Sequence, residues 1–228
     1  MNSIFIRVDA SVSSGSGHVM RCLTLANELT TKGCEVRFIS RVLPGNLCDY
    51  IEELDFSVSR LSDSLSDKQD AEATVKIVRS YAVNGGFVIV DSYRLSLAWQ
   101  KHIKAAGNQL MVLDDLADRK HYCDILLNQN YRSGLHDRYP GLVPLSATLL
   151  LGAHYALIRK EFSEFREASI ERRKSPKKKN ILVCMGGSDP DNDTGKVLIG
   201  FLRSKFIESI KINVVIGVGN PNKNELEV

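Results

Sequence analysis

What most constrains this chain is the alternation of short apolar runs with amphipathic stretches. Strand-like runs at Ser3–Val8, Glu35–Ser40, Phe87–Asp91 and Gln109–Asp114 alternate with helical patterns at Val19–Lys32, Asp67–Tyr81 and Leu97–Ala106. Such an order predicts an α/β fold, a parallel sheet covered by helices on both faces. Val88-Ile89-Val90 shows no polar alternation, as a strand buried on both sides requires. Two further short strands are expected at Asp124–Leu127 and Thr148–Leu151, and then a helix from about Arg159 to Glu171.

The pattern then breaks and restarts. Arg172, Arg173, Lys174, Lys177, Lys178 and Lys179 surround Ser175-Pro176, which reads as an exposed basic linker. After it come a strand at Ile181–Met185, a glycine turn at Gly186-Gly187, a helix near Asp193–Ser204 and a strand at Ile210–Ile216. The expected organisation is a complete Rossmann-like domain over residues 1–171, a linker over 172–179 and an incomplete Rossmann-like, nucleotide-binding domain over 180–228. About fifty residues are too few for a doubly wound domain.

Composition narrows the function classes. Hydrophobic residues make up 43% of the 228, enough for a full core, so wholesale disorder is excluded. A net charge of +3 with 7% aromatics argues against a nucleic-acid partner. The five cysteines are scattered and form no C-x-x-C pair, which favours reduced thiols. The amino terminus runs straight into a strand containing Arg7, so neither a signal peptide nor membrane insertion is expected, and the chain reads as soluble and cytoplasmic. Oligomeric state leaves no signature in the sequence.

The chemistry concentrates where the first strand meets the first helix. There Gly15-Ser16-Gly17-His18 leads into Val19-Met20-Arg21, and glycine allows backbone to approach an anionic ligand. His18 and Arg21, three apart, offer a titratable ring and a fixed cation on one helix face. The plainer alternative is a tight connection in which His18 packs locally. Asp9, Asp91-Ser92-Tyr93-Arg94 and Asp114-Asp115 each leave the carboxyl end of a strand, where open α/β sheets bind ligands, and are expected to converge on one crevice. Arg21 has two candidate partners, a phosphate or Asp9.

Four aspartates, Asp9, Asp91, Asp114 and Asp115, also invite a metal reading, but strand-end aspartates equally cap helices or hold arginines, and no histidine pair has zinc spacing. No metal is therefore assigned. His102 and His121 lack partners at ligand spacing and read as solvent-facing or structural. Asn128 and Asn130, two apart, would face one side of an extended segment and reach sugar hydroxyl or acetamido groups. Gly186-Gly187-Ser188-Asp189-Pro190 reads either as a turn into a helix capped by Asn192–Thr194 or as a phosphate loop with free N–H groups. No Gly-x-Ser-x-Gly elbow is present, so covalent catalysis is not expected.

Taken in order, Asp9-Ala10-Ser11, Gly17-His18-Val19-Met20-Arg21-Cys22-Leu23, Val90-Asp91-Ser92-Tyr93, Leu113-Asp114-Asp115, Leu127-Asn128-Gln129-Asn130 and Gly186-Gly187-Ser188-Asp189 resemble the PseG family. Tyr155-Ala156-Leu157-Ile158-Arg159-Lys160-Glu161-Phe162 is similar to that family's segment closing the first domain. The resemblance implies the two-domain GT-B architecture of MurG-like glycosyltransferases. It also implies a hydrolase of pseudaminic acid biosynthesis that removes UDP from UDP-2,4-diacetamido-2,4,6-trideoxy-β-L-altropyranose, with water as acceptor and no cofactor.

On that resemblance His18 is the general base, Tyr93 lines the sugar site and the Gly187-Ser188 turn approaches the nucleotide. Residue chemistry and resemblance together nominate His18 as catalytic, and Asp9, Gly17, Arg21, Tyr93, Asn128, Asn130, Gly187 and Ser188 as binding a UDP-linked diacetamido sugar. UDP is a good leaving group, so one base and oriented dipoles suffice. GT-B enzymes carry a further glycine-rich loop and an acidic residue late in the second domain, which this sequence does not reach, so a truncated donor site with weak affinity is expected. The alternatives are a MurG-like glycosyltransferase, disfavoured by the lack of a long basic amphipathic helix, and a non-catalytic sugar-nucleotide-binding fragment.

Overall fold

The computed structural model describes residues 3–174, 179–205, 207, 210–217 and 219–226. The chain forms two compact units, one built from the residues up to Ala10 with His18–Leu157, the other from Ser11–Gly17 with Ile158 onward. The central residues of the expected basic linker, Ser175 to Lys178, lie outside the described residues.

The first unit is built on a seven-stranded sheet. Its strands are β1 (Ser3–Val8), β2 (Glu35–Arg41), β3 (Ser57–Leu61), β4 (Phe87–Asp91), β5 (Gln109–Leu113), β6 (Ile125–Asn128) and β7 (Thr148–Leu151). The order is β3-β2-β1-β4-β5-β6-β7, and every neighbouring pair is parallel. This is a Rossmann-like sheet, and its order reverses between β1 and β4, the point at which such sheets open a crevice beyond their carboxyl ends. The register sets Val8 opposite Asp91 there.

Helices α1 (Gly17–Thr31), α2 (Cys48–Glu53), α3 (Asp67–Tyr81) and α4 (Leu97–Ala105) form the four crossovers from β1 to β5 in chain order. The period-two alternation of the strands divides the core into two layers. Ile4, Ile6, Val8, Ile89, Met111 and Leu113 pack with Val19, Leu23 and Ala26 of α1 and Ile51 of α2. Phe5, Val88, Val90, Leu110 and Val112 pack on the opposite face with Val75 and Val78 of α3 and Trp99 and Ile103 of α4. Each fully buried apolar side chain contributes about 1.5–3 kcal/mol, so both faces are strongly held. Helix α3 begins with a reciprocal capping box between Ser66 and Gln69.

The differences from the sequence reading have physical causes. Strand β3, SVSRL, is an edge strand with a polar, half-exposed face, and α2 is only six residues long, so neither has a strong period. The single helix expected over Arg159–Glu171 is two, α5 (Lys160–Glu164) and α6 (Arg166–Lys174), with Phe165 at φ −87° and ψ −1° between them and no buried residue in either.

In the second unit β8 (Lys179–Cys184) and β9 (Ile210–Val215) form a two-stranded parallel sheet, with α7 (Asp193–Leu202) between them in sequence and a short α8 (Lys223–Leu226) after them. The loops leaving β8 and β9 touch closely. A Cβ on Gly217 would collide with the backbone of Gly187, so only glycine fits at 217. Among the described residues, no helix is long and apolar enough to cross a membrane.

Candidate active site

His18 stands in the first turn of α1, just past the carboxyl end of β1. That turn has no acidic residue of its own, and Asp91 at the end of β4 supplies one. His18 Nδ1 lies 2.6 Å from Asp91 Oδ1, a charge-assisted hydrogen bond. A carboxylate can only accept, so Nδ1 carries the hydrogen, and in the neutral ring Nε2 is then the nitrogen with the lone pair. Among the described residues Nε2 has no hydrogen-bond partner, while the side chain as a whole is 14% exposed. The ring is fixed on one side and open on the other, as a general base requires.

Asp91 is itself buried and heavily bonded. Arg21, one helical turn beyond His18, donates from Nε to Oδ2 at 2.5 Å and from Nη2 to Oδ1 at 2.6 Å, and the Cys22 thiol lies 3.7 Å from Oδ2. Burial disfavours the charged carboxylate, but the hydrogen bonds from Arg21 and then His18 outweigh it and hold Asp91 below the ordinary aspartate range. The same burial pushes the Cys22 thiol well up, so it is an inert core group.

Arg21 reaches a second carboxylate as well. Its Nη1 donates to both oxygens of Asp115, at 3.0 and 2.7 Å. Asp115 also accepts from the Tyr93 hydroxyl at 2.9 Å and from Asn130 Nδ2 at 3.1 Å. The Tyr93 ring stands edge-on to His18 with centroids 4.7 Å apart, and burial together with Asp115 pushes its phenol up to about 12. Tyr93, against the His18 ring, and Asn130, on Asp115, both keep exposed surface.

The strand-end aspartates do not converge on one crevice, as the sequence reading expected, but divide among three centres. Asp9 turns away from His18 and accepts from Arg7 Nη1 at 2.5 Å, Arg7 Nη2 at 2.9 Å and the Arg41 N–H at 2.8 Å. Arg21 therefore pairs with Asp91 and Asp115, not with Asp9. Arg7 is fully buried and also grips Asp70 of α3, which accepts in addition from Arg41, Arg94 and the Trp99 indole. These donors outweigh burial and hold the Asp70 carboxyl at about 2.

Asp114 faces the interior, accepting from the Tyr139 hydroxyl and the Ala117 N–H, each at 2.8 Å, with His121 Nε2 3.6 Å from its other oxygen. His121 is thus buried and structural, whereas His102 is exposed. Asn128 and Asn130 part company because the chain leaves extended form after β6. Asn128 is buried, donating to Tyr139 and accepting from the Asn130 N–H, while only Asn130 reaches Asp115. Among the described residues no three His, Cys, Asp or Glu side chains are grouped to hold a metal ion.

The glycine loop before His18 is a tight turn. Gly15 has φ +73° and donates its N–H to Ser11 O at 2.9 Å, and a Cβ on Gly17 would meet nothing within 4 Å. In the second unit, the turn at Gly187-Ser188 leads to α7, whose first N–H groups are taken. Asp189 accepts from Asp193 and Thr194, and Asn192 from Gly195. The backbone donors of Asp193, Thr194 and Gly195 are thus capped from within the turn and the helix start.

The chain is 31% identical over 225 residues to the UDP-2,4-diacetamido-2,4,6-trideoxy-beta-L-altropyranose hydrolase of Campylobacter jejuni subsp. jejuni, spanning 98% of its own length and 73% of that protein. The chain belongs to the PseG family. At 31% identity over 225 residues it also matches an uncharacterized protein of Methanocaldococcus jannaschii, of which it spans 44%. No protein-family model matches it. The PseG relationship accords with the Rossmann-like sheet, whose switch point carries His18 and Asp91.

Proposed function

We propose that this protein hydrolyses a UDP-linked diacetamido sugar, the substrate named for its Campylobacter relative, by attack of a His18-activated water on the anomeric carbon. The observation that carries the reading is the oriented imidazole, with Nδ1 bound to a buried, ionised Asp91 and Nε2 open. In the step, Nε2 takes a proton from water as its oxygen bonds to C1. The bond between C1 and the diphosphate oxygen breaks, and UDP leaves with the electron pair. Asp91 steadies the imidazolium formed, and the proton passes to solvent. UDP is stable as an anion, so no strong general acid is needed.

In this reading Tyr93 and Asn130 line the sugar beside His18, and Gly17 leaves room for close approach. Asp9 and Asn128 act from behind, as parts of the buried networks that set the strand ends. The assignment of Gly187 and Ser188 to the nucleotide rests on the family resemblance.

Release of UDP from the diacetamido sugar nucleotide tests the reading. Turnover should fall at least about 100-fold in His18→Asn, the usual size of a lost general base. Unchanged turnover in that variant would overturn it.

A further inference from the structure

The open question at this site is what Arg21 does. An arginine beside a sugar-nucleotide reaction is expected to grip phosphate, yet here the guanidinium is committed elsewhere. Nε and Nη2 hold the two oxygens of Asp91, Nη1 holds both oxygens of Asp115, and Nη2 also lies 3.2 Å from His18 Nδ1. The side chain is 13% exposed, packed between two carboxylates from two different strand ends. A guanidinium has five N–H donors in a fixed fork, and this arrangement engages every one of its nitrogens.

We propose that Arg21 is a positioning residue, a clamp between Asp91 and Asp115 that fixes which nitrogen of His18 carries the proton and sets the pH below which the site stops working. The inference rests on His18 acting as the base. Two contacts compete for Nδ1, the carboxylate at 2.6 Å and the guanidinium at 3.2 Å, and the shorter one decides. By gripping both Asp91 oxygens, Arg21 keeps that carboxylate ionised and aimed, so Nδ1 stays the donor and Nε2 the acceptor. Its own positive charge, against the ring, opposes a second proton there.

The groups facing His18 are few. Asp91 comes from β4, Tyr93 from the loop after it and Arg21 from α1 itself, while Cys22 of α1 lies against Asp91. Asp115 binds both Arg21 and Tyr93, and the Arg119 guanidinium lies 6.0 Å from the Tyr93 ring. Arg21 is the cation among them that touches the ring. Replacing it with glutamine removes the opposing charge and takes from Asp91 its main counter-ion, and both changes favour the imidazolium. The acidic limb of kcat/KM should then move to higher pH by about one unit.

The test combines pH profiles of hydrolysis of the diacetamido UDP-sugar with an NMR titration of the His18 ring in the ligand-free protein, for wild type, Arg21→Gln and Arg21→Lys. Expected for Arg21→Gln are a kcat at least about tenfold lower, a KM within about threefold, and parallel upward movement of the acidic limb and the ring titration. Arg21→Lys keeps the charge but not the fork and should move both by about half as much. If the glutamine variant does not fold, the lysine variant decides on the same readouts. A KM raised tenfold or more with the limb unmoved would make Arg21 a substrate contact and overturn the proposal, as would an unmoved ring titration. Failure of the base reading itself shows separately, as retained turnover in His18→Asn, while the ring titration still reports whether Arg21 governs His18.

Discussion

Two buried aspartates, Asp70 and Asp91, use the same donor chemistry to opposite ends. Asp70 accepts from Arg7, Arg41, Arg94 and Trp99, three guanidinium groups and an indole, all of them donors only. Its lone pairs are filled, and the cluster ties β1, β2, α3 and α4 together across 63 residues of sequence between Arg7 and Asp70. Asp91 also accepts from an arginine, but one of its donors is an imidazole whose far nitrogen is open. Asp70, saturated by arginines and an indole, is scaffold, whereas Asp91, shared with His18, lends its charge to a ring whose far nitrogen is accessible. What separates structure from chemistry here is one donor.

The comparison breaks first at His18. His18→Asn should lower hydrolysis by about 1,000-fold while leaving the melting temperature within a few degrees, since the ring is one donor to a carboxylate that Arg21 still holds. Asp70→Asn should do the reverse. Removing the charge leaves Arg7 buried without its main partner and costs about 3 kcal/mol, a fall of roughly 10 °C in Tm, with kcat of the folded protein unchanged. A large loss of kcat there would erase the distinction between the two clusters.

Asp91→Asn sharpens it further. An amide facing Nδ1 can donate, which favours the tautomer with the proton on Nε2, so kcat should fall about 100-fold with KM within about threefold. Acid provides the next contrast. Asp70 at about 2 and Asp91 below the ordinary range both bind fewer protons folded than unfolded. Their stabilisation is complete above about pH 5 and is lost as the pH falls through about 4 toward the folded values. Thermal melts from pH 7 to 2 should therefore be flat and then fall, with a shallower acid limb in Asp70→Asn. Ser66→Ala, which removes a helix cap remote from both clusters in function, should cost only about 1 kcal/mol and leave kcat unchanged, as melting curves and assays will show.

Much of this was legible in the sequence where pattern is local. Ser3–Val8, Phe87–Asp91, Thr148–Leu151 and Asp67–Tyr81 fall on the residues that their periods predicted. A strand-to-helix loop, strand ends and a family resemblance point to His18, Arg21, Tyr93 and Asn130, and the structure gathers them around Asp91 and Asp115. The pairings were not legible, because His18 and Asp91 are 73 residues apart and Arg21 and Asp115 are 94 apart, joined only by the strand order.

The scaffold cluster was invisible for another reason. Arg7 sits in an apolar strand and Asp70 on the buried face of α3 beside Ala71, Thr74, Val75 and Val78, and although Asp9 lies two residues beyond Arg7, nothing local points from Arg7 to Asp70. The usable signal was the alternation itself, since Arg7 follows Phe5 on the same face of β1, and a charge on a buried face demands a buried counter-charge.

Attack of water on carbon under the control of His18 is the central step of the proposed reaction. Hydrolysis of the diacetamido UDP-sugar in oxygen-18 water, followed by mass spectrometry of both products, tests that directly. Expected are label in the released sugar, none in UDP, and loss of the labelled sugar in His18→Asn. Label in UDP, or labelled sugar formed at the wild-type rate without His18, would contradict it.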